Sequence, residues 1–242
     1  MIRTYRFADR NVGIASLFAE IHELCALYRT DGRPDFTVQT TPADIRYEHE
    51  KSARKEALQG LPPRSFSDAY LETLAVYRKI AERMPAFDTF LFHGSAIAVD
   101  GCAYVFTAKS GTGKSTHAAL WRKMLGKDAV MVNDDKPLIR VTERETIVYG
   151  TPWDGKHRLS SNISVPLKAI CILSRADENR MEQVSYEDAL PMLMQQAYRP
   201  ADPAALMKTL QLIDGLNVSF YRLSCNMDIS AAELSYRSMK EA

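Results

Sequence analysis

A glycine-rich turn between a strand-like run and a helical pattern is the feature that most constrains how this chain can fold. Residues 107–117 read TAKSGTGKSTH. The apolar run CAYVF precedes the turn, and the pattern AALWRKML, with helical spacing, follows it. In a strand–turn–helix unit of this kind, backbone N–H groups at the helix N-terminus converge on phosphate oxygens. The stretch therefore predicts a phosphate site at the junction of a strand and a helix.

Residues 108–115 match the phosphate-loop pattern G-x-x-x-x-G-K-[ST] at every position but the first, where Ala108 replaces glycine. Because alanine does not adopt the left-handed region cheaply, the loop entry must be αR or extended. Lys114 is predicted to contact the β- and γ-phosphates, and the Ser115 hydroxyl to ligate Mg²⁺. The residues predicted to bind the nucleotide here are Ser110, Gly111, Thr112, Gly113, Lys114, Ser115 and Thr116.

An acidic pair follows the next strand-like run. The stretch AVMVNDDKP places Asp134 and Asp135 about twenty residues after Lys114. A strand that ends in aspartate beside a phosphate loop is the expected place for a Mg²⁺ ligand. A second carboxylate can accept a proton from an attacking hydroxyl, a task that a water-positioning hydrolase does not require. The alternative is that DDKP is only a turn, since aspartate and proline favour turns.

These motifs together resemble the catalytic core of HPr kinase/phosphorylase, whose fold is shared with ATP-dependent phosphoenolpyruvate carboxykinase. The resemblance rests on His93-Gly94, on SGTGKS and on the DD pair, and it covers about residues 93–137. It implies an α/β fold with a mixed, barrel-like β-sheet. The P-loop lies at one edge of this sheet, and helices pack outside it. It also implies transfer of the γ-phosphoryl group of ATP, with Mg²⁺, to a serine hydroxyl.

The resemblance also implies roles for individual residues. Asp134 corresponds to the general base, Asp135 to a Mg²⁺ ligand and His93 to a residue near the transferred phosphate. The segment after the acidic pair departs from the family's arginine-glycine signature. The acceptor therefore stays open between a protein, a peptide and a small-molecule alcohol. The resemblance favours a homo-oligomer without setting its size.

A second loop, residues 149–164, reads YGTPWDGKHRLSSNIS. Such a loop between two strands could fold over the phosphates, where Lys156 or Arg158 would stabilise charge on the transferring group. Trp153 could then line the acceptor pocket. The alternative is a surface loop with a structural tryptophan.

Composition excludes some partner classes. The 242 residues include 31 basic and 30 acidic ones, so the net charge of +1 provides no positive field for a nucleic-acid backbone. No run approaches 18 apolar residues, and the N-terminus lacks the apolar stretch of a signal peptide. The four cysteines form no CxxC pair and are predicted to be reduced core thiols. We therefore expect a cytoplasmic protein that binds neither membranes nor nucleic acid.

The order of patterns predicts a single domain over residues 1–242. Residues 1–88 form an integral, helix-rich part, including a helix over residues 14–28, and residues 89–242 form the nucleotide-binding core. Seven strand-like runs occur between residues 89 and 173, with only one clear helix among them. Because they do not alternate cleanly with helices, a simple doubly wound parallel sheet is not predicted.

Three functions are compatible with these motifs. The first is an Mg²⁺- and ATP-dependent kinase that phosphorylates an alcohol hydroxyl, with Asp134 as its base. The second is a nucleotide-binding regulatory switch with slow hydrolysis, which would need the phosphate loop and only one aspartate. The third is a carboxykinase-like phosphotransferase, which oxaloacetate-dependent formation of ADP would reveal.

Overall fold

The computed structural model describes residues 2–62, 64–155 and 157–241, and these ranges contain both β-strands and α-helices. The strands are β1 (Ile2–Phe7), β2 (Arg10–Ala15), β3 (Phe36–Gln39), β4 (Thr89–Leu91), β5 (Ser95–Val99), β6 (Cys102–Thr107), β7 (Val130–Asn133), β8 (Leu138–Val141), β9 (Thr146–Tyr149), β10 (Ser164–Arg175), β11 (Arg180–Val184) and β12 (Ser219–Cys225). The α-helices are α1 (Glu20–Leu24), α2 (Pro42–Leu58), α3 (Asp68–Arg83), α4 (Lys114–Leu125), α5 (Tyr186–Gln196), α6 (Pro203–Asp214) and α7 (Ile229–Lys240). None of these described helices is both long enough and apolar enough to cross a membrane.

The chain divides into two compact units, residues 1–83 and residues 84–242. In the first unit β2 pairs antiparallel with β1 and parallel with β3. The buried carboxylate of Glu72 accepts the N–H groups of Leu17 and Phe18 at 2.6 and 2.9 Å, which ties the segment after β2 to α3. This unit therefore has a sheet as well as helices. Whether residues 1–88 are an integral part of one domain stays a prediction.

The predicted helix over residues 14–28 is wrong over its first half. Residues 10–15 form strand β2, and the helix begins only at Glu20. Ile14 pairs with Arg3 on one side and with Val38 on the other, and its side chain is fully buried. Strands β1 and β3 pair with this segment on either side and form hydrogen bonds with its backbone N–H and C=O groups. This pairing overrides the helical spacing of the apolar residues.

The second unit contains the mixed sheet that the resemblance implies. Its strand order is β4-β8-β9-β10-β6-β5-β7, with β12 beside β10 and β11 beside β12. Strand β10 joins two parts of this sheet, because residues 164–166 pair antiparallel with β9 and residues 167–172 pair parallel with β6. The sheet is curled into a half-barrel. The mixed α/β class is confirmed, and each of the seven predicted strands after residue 88 is present.

Both faces of this sheet are covered, which explains its nearly continuous apolar runs. On β10, Ile170 and Ile172 belong to a core that includes residues of α5 and α6. Ala169 and Cys171 point to the opposite face, into a core that includes residues of α4 and α7. Because successive side chains of a strand alternate between faces, a strand buried on both faces carries no polar alternation.

Helix α4 is fixed against α7 and β6 by a cluster around Ser235. The indole N–H of Trp121 donates to Ser235 Oγ at 2.8 Å, and His117 Nε2 lies 2.9 Å from the same oxygen. Phe106 of β6 meets the rings of His117 and Trp121 edge-on at 4.7 and 5.1 Å. Burial lowers the pKa of His117 to about 4. The helix that follows the glycine-rich turn is thus held to the strand that precedes it.

The four cysteines are free thiols. Cys25 and Cys171 are buried, as predicted, whereas Cys102 and Cys225 are partly exposed. Burial raises the pKa of the Cys25 and Cys171 thiols. A thiol that stays protonated is a poor nucleophile, so neither residue is a candidate for covalent catalysis.

We predict that replacing His117 with Gln weakens the pH dependence of stability. The folded-state pKa of about 4 lies below that of an unfolded histidine, so the unfolded chain takes up the proton first as the pH falls through this range. The wild type should lose on the order of 2 kcal/mol between about pH 7 and about pH 4.5 through this group. Urea unfolding at both pH values measures the difference. The exposed His49→Gln serves as control, and equal pH dependence in wild type and His117→Gln would contradict the prediction.

Candidate functional site

The glycine-rich turn has the strand–turn–helix context that its motif requires. Strand β6 ends at Thr107 and α4 begins at Lys114. Gly111 and Gly113 have φ values of +81° and +126°, and a Cβ added at either would meet nothing within 4 Å. Backbone conformation, and not lack of space, therefore demands glycine at these positions. Ala108, at the entry, has no positive φ, as predicted.

Lys114 is a buried cation at the end of this turn. Its side chain is buried, and its Nζ donates to the carbonyl of Ala108 at 3.2 Å. Burial lowers the pKa of Lys114, while the nearby carboxylates of Asp135 and Asp134 act in the opposite direction. The structure thus brings the predicted lysine and both predicted aspartates into one site.

Arg175, a residue that sequence reasoning missed, holds the turn from the end of β10. Its Nη2 donates to the carbonyl of Gly111 at 2.6 Å, and its Nε donates to that of Thr112 at 3.2 Å. The parallel register places Ile172 opposite Thr107, the last residue of β6, so Arg175 extends beyond the strand toward the turn. No local sequence signal could have identified it, because the contact spans more than 60 residues.

The acidic pair lies in a turn that Asn133 organises. The Oδ1 of this buried side chain accepts the N–H groups of Asp135 at 2.8 Å and of Lys136 at 2.6 Å. Its Nδ2 donates to the carbonyl and the hydroxyl of Thr151 at 3.1 and 3.0 Å. The DD segment is therefore a turn, and the same contacts connect it to the second loop.

Asp134 is almost completely buried, with 5% of its surface exposed. The Ser95 hydroxyl donates to its Oδ1 at 2.6 Å. Gly155 of the second loop lies against the same carboxylate, since a Cβ there would come within 3.1 Å of Asp134 Oδ2. Among the described residues no hydrogen bond reaches Oδ2, so one oxygen of this buried carboxylate has acceptor capacity left.

Asp135 has a different environment. His93 Nε2 and Lys136 Nζ each lie 3.2 Å from its Oδ1, and the Nδ1 of His93 lies 2.7 Å from Gln196 Oε1. Burial raises the pKa of Asp135, but the hydrogen bond to His93 and the charge of Lys136 outweigh it, so the pKa lies below its usual range. The lowered pKa keeps the Asp135 carboxylate ionised at neutral pH.

Ser115 and Asp134 face the same cavity, which has a volume of about 260 Å³. Helix α4, the region of β7 and the second loop all contribute side chains to it. The lining residues are Ser115, Thr116, Ala119, Arg122, Met131, Asp134, His157 and Leu159. Two residues predicted to contact the nucleotide therefore share this cavity with the predicted base.

The second loop packs onto the site instead of projecting into solvent. Ser161 N–H donates to the carbonyl of Val132 at 3.3 Å. At Gly150 a Cβ would lie 1.9 Å from the carbonyl oxygen of Ser161, so only glycine fits there. Trp153 is buried and is not among the cavity-lining residues, which favours the structural alternative for this side chain.

Arg158 and Lys156 are the two cations of this loop that the sequence predicts to contact a phosphate. Arg158 is exposed, has a φ of +48° and is not among the residues that line the cavity. Lys156 lies outside the described residues. The proposed contact of either with a phosphate stays a prediction. His157 and Leu159 are the residues through which the loop reaches the cavity.

The predicted Mg²⁺ ligands Ser115 and Asp135 offer oxygen atoms, the donors that this ion prefers. The described residues contain no group of three or more His, Cys, Asp or Glu side chains placed to hold a metal. The Oδ1 of Asp135 is taken by His93 and Lys136, whereas Oδ2 accepts no hydrogen bond from a described residue. This donor set fits Mg²⁺, which proteins bind through one or two carboxylates together with phosphate and water oxygens.

No protein-family profile and no curated protein matches this sequence. Among solved structures, the chain is similar to the Hpr(Ser) kinase/phosphatase from Coxiella burnetii, with 11% sequence identity and a TM-score of 0.36. The alignment covers 62% of this chain and 93% of that one. This is a distant likeness.

We predict that Arg175→Met loosens the glycine-rich turn. Losing the two hydrogen bonds to the Gly111 and Thr112 carbonyls should speed amide exchange in the turn roughly five-fold, the effect of about 1 kcal/mol of local stability. Hydrogen–deuterium exchange of residues 109–113, measured by mass spectrometry without ligand, provides the test. Arg180→Met, at an exposed position of β11, is the matched control. Unchanged exchange in Arg175→Met would show that the turn is ordered without this side chain.

Proposed function

We propose that this protein is a phosphotransferase that moves the γ-phosphoryl group of Mg²⁺-bound ATP to a hydroxyl group. The observation that carries the proposal is the shared cavity of Ser115 and Asp134 beside the glycine-rich turn. A hydroxyl placed to ligate Mg²⁺ beside the donor phosphates, and a buried carboxylate whose Oδ2 accepts no hydrogen bond from a described residue, are the two ends that such a transfer needs. The acceptor is the serine of a protein or peptide, or a small-molecule alcohol.

The donor end of the site consists of the turn and Lys114. The N–H groups at the start of α4 and the positive end of its dipole favour phosphate oxygens. The Nζ of Lys114 donates to the Ala108 carbonyl in this structure. With nucleotide bound, it would donate to phosphate oxygens instead. Ser110, Gly111, Thr112, Gly113 and Thr116 would complete this contact surface. Positioning and charge neutralisation supply most of the catalysis in this class of reaction.

The acceptor end is Asp134. As the acceptor oxygen attacks the γ-phosphorus, its proton passes to Asp134, and the bond from the γ-phosphorus to the bridging oxygen breaks and releases ADP. Burial keeps bulk water from this carboxylate, and the Ser95 hydroxyl fixes its orientation through Oδ1. Oδ2 then remains for the incoming hydroxyl.

Asp135 suits the metal role better than the base role. A carboxylate whose pKa is lowered by His93 and Lys136 accepts a proton poorly and binds a cation well. With Ser115 it would hold Mg²⁺, which when bound neutralises charge on the β- and γ-phosphates. His93 would act beside the transferring group by orienting Asp135, since Gln196 holds its other ring nitrogen.

We predict that Asp134→Asn lowers kcat for phosphoryl transfer by at least about 100-fold, because the amide cannot accept the proton. Nucleotide affinity should stay within about two-fold of wild type, since the isosteric side chain keeps the contact with Ser95. Asp135→Asn should instead weaken Mg²⁺-dependent nucleotide binding. The measurement is transfer of label from γ-labelled ATP into the protein, peptide and small-molecule fractions of a cell extract, with nucleotide affinity measured in parallel by calorimetry.

Each outcome of this comparison is informative. Label that enters one fraction with wild type but not with Asp134→Asn supports the kinase and identifies the acceptor class. Label that goes only to free phosphate, equally in both proteins, contradicts the proposal and favours a nucleotide switch. Lys114→Met should lose nucleotide binding in either case.

A separate variant tests the second loop. If Arg158 moves onto the phosphates during turnover, as the sequence suggests, Arg158→Ala should lower kcat at least about ten-fold with little change in KM for ATP. Arg144→Ala, on the exposed β8–β9 turn, controls for loss of a surface charge. Unchanged turnover would remove Arg158 from the catalytic residues.

A further inference from the structure

We propose that the acceptor is a small hydroxyl compound that carries a carboxylate or phosphate group, and that Arg122 binds this group. The inference rests on the phosphotransferase function proposed above and identifies its substrate class. The inference is based on the cavity beside Asp134, namely on its size, its charged residues and its apolar residues.

The size of the cavity favours a small molecule. Its volume of about 260 Å³ is below the roughly 300–1,000 Å³ of pockets that enclose drug-sized ligands. A compound of a few carbon atoms fits such a space, whereas a folded protein would present its hydroxyl on a larger surface. Ala119, Met131 and Leu159 provide apolar contact for a short carbon skeleton.

Arg122 is the cation placed to select an anionic acceptor. It is half-buried, and it forms no ion pair with any described residue. A guanidinium with five donors and no ion-pair partner among the described residues is suited to two-point binding of carboxylate or phosphate. His157, exposed at the same cavity, adds a second donor.

The helix sets the spacing between the two ends of the acceptor. Ser115, Ala119 and Arg122 lie at i, i+4 and i+7 on α4 and so share one face. Ser115 and Arg122 are about 10 Å apart along the axis, and helical side chains lean toward the N-terminus, which brings the guanidinium closer to the reactive end. An acceptor with two or three carbons between its hydroxyl and its anionic group would span the remaining distance.

The charges also determine orientation. Asp134 would repel the anionic end of the acceptor and accept a hydrogen bond from its hydroxyl, whereas Arg122 would attract the anion. The compound would therefore enter with its hydroxyl toward Asp134 and the donor phosphates.

The test uses three acceptors with one three-carbon skeleton, namely glycerate, glycerol 3-phosphate and glycerol, with γ-labelled ATP and Mg²⁺. The full-length wild type should phosphorylate at least one of the two anions with a kcat/KM ten-fold or more above that for glycerol. Arg122→Ala should lower kcat/KM for that anion at least ten-fold, mainly through KM, and leave the KM for ATP unchanged. Arg122→Lys should restore part of the loss, and the exposed neighbour Lys123→Ala should behave as wild type.

Four results would overturn the inference. The first is equal use of glycerol and the anions, and the second is an Arg122→Ala effect confined to the KM for ATP. The third is transfer from ATP to the protein fraction of an extract without transfer to either anion, in which case the phosphotransferase function stands and the acceptor class is wrong. The fourth is transfer to no acceptor at all, in which case the proposed function fails and this inference fails with it.

Discussion

The parallel pairing of β6 with β10 is the constraint on which the rest of the second unit depends. It places the end of β10 beside the glycine-rich turn, where Arg175 donates to two carbonyls of the turn. The same strands are buried on both faces, between the core of α5 and α6 and the core of α4 and α7. Because parallel strands require coverage on both faces, the pairing and the helical layers stabilise each other.

The candidate site is assembled from loops at this end of the sheet. The antiparallel neighbours β5 and β7 bring Ser95 and Asp134 together, although 39 residues separate them. The contact from Asn133 to Thr151 then attaches the second loop to the acidic pair. Rigid strands thus hold the ends of these loops in place, which is the arrangement that lets a site keep its geometry.

The two adjacent carboxylates have different environments. Asp134 is buried and has one hydroxyl partner, whereas Asp135 lies between an imidazole and an ammonium group. The hydrogen bond from His93 and the charge of Lys136 lower the pKa of Asp135, which suits this carboxylate to the cation-binding role proposed above. The residues DD do not by themselves predict these contacts, and the two roles came at the sequence level only from the resemblance to HPr kinase/phosphorylase.

The sequence by itself determined the local elements. Turn glycines and strand patterns depend on neighbours a few residues away, so the strand–turn–helix unit and the seven strands from β4 to β10 could be predicted. Tertiary structure alone decided that residues 10–15 form a strand, that Arg175 holds the turn, and that Gln196 supports His93 across 103 residues. It also placed Arg122 in the cavity with Asp134. The physical reason is that strand pairing and side-chain contacts between distant segments arise only when the sheet brings those segments together, and no local pattern encodes them.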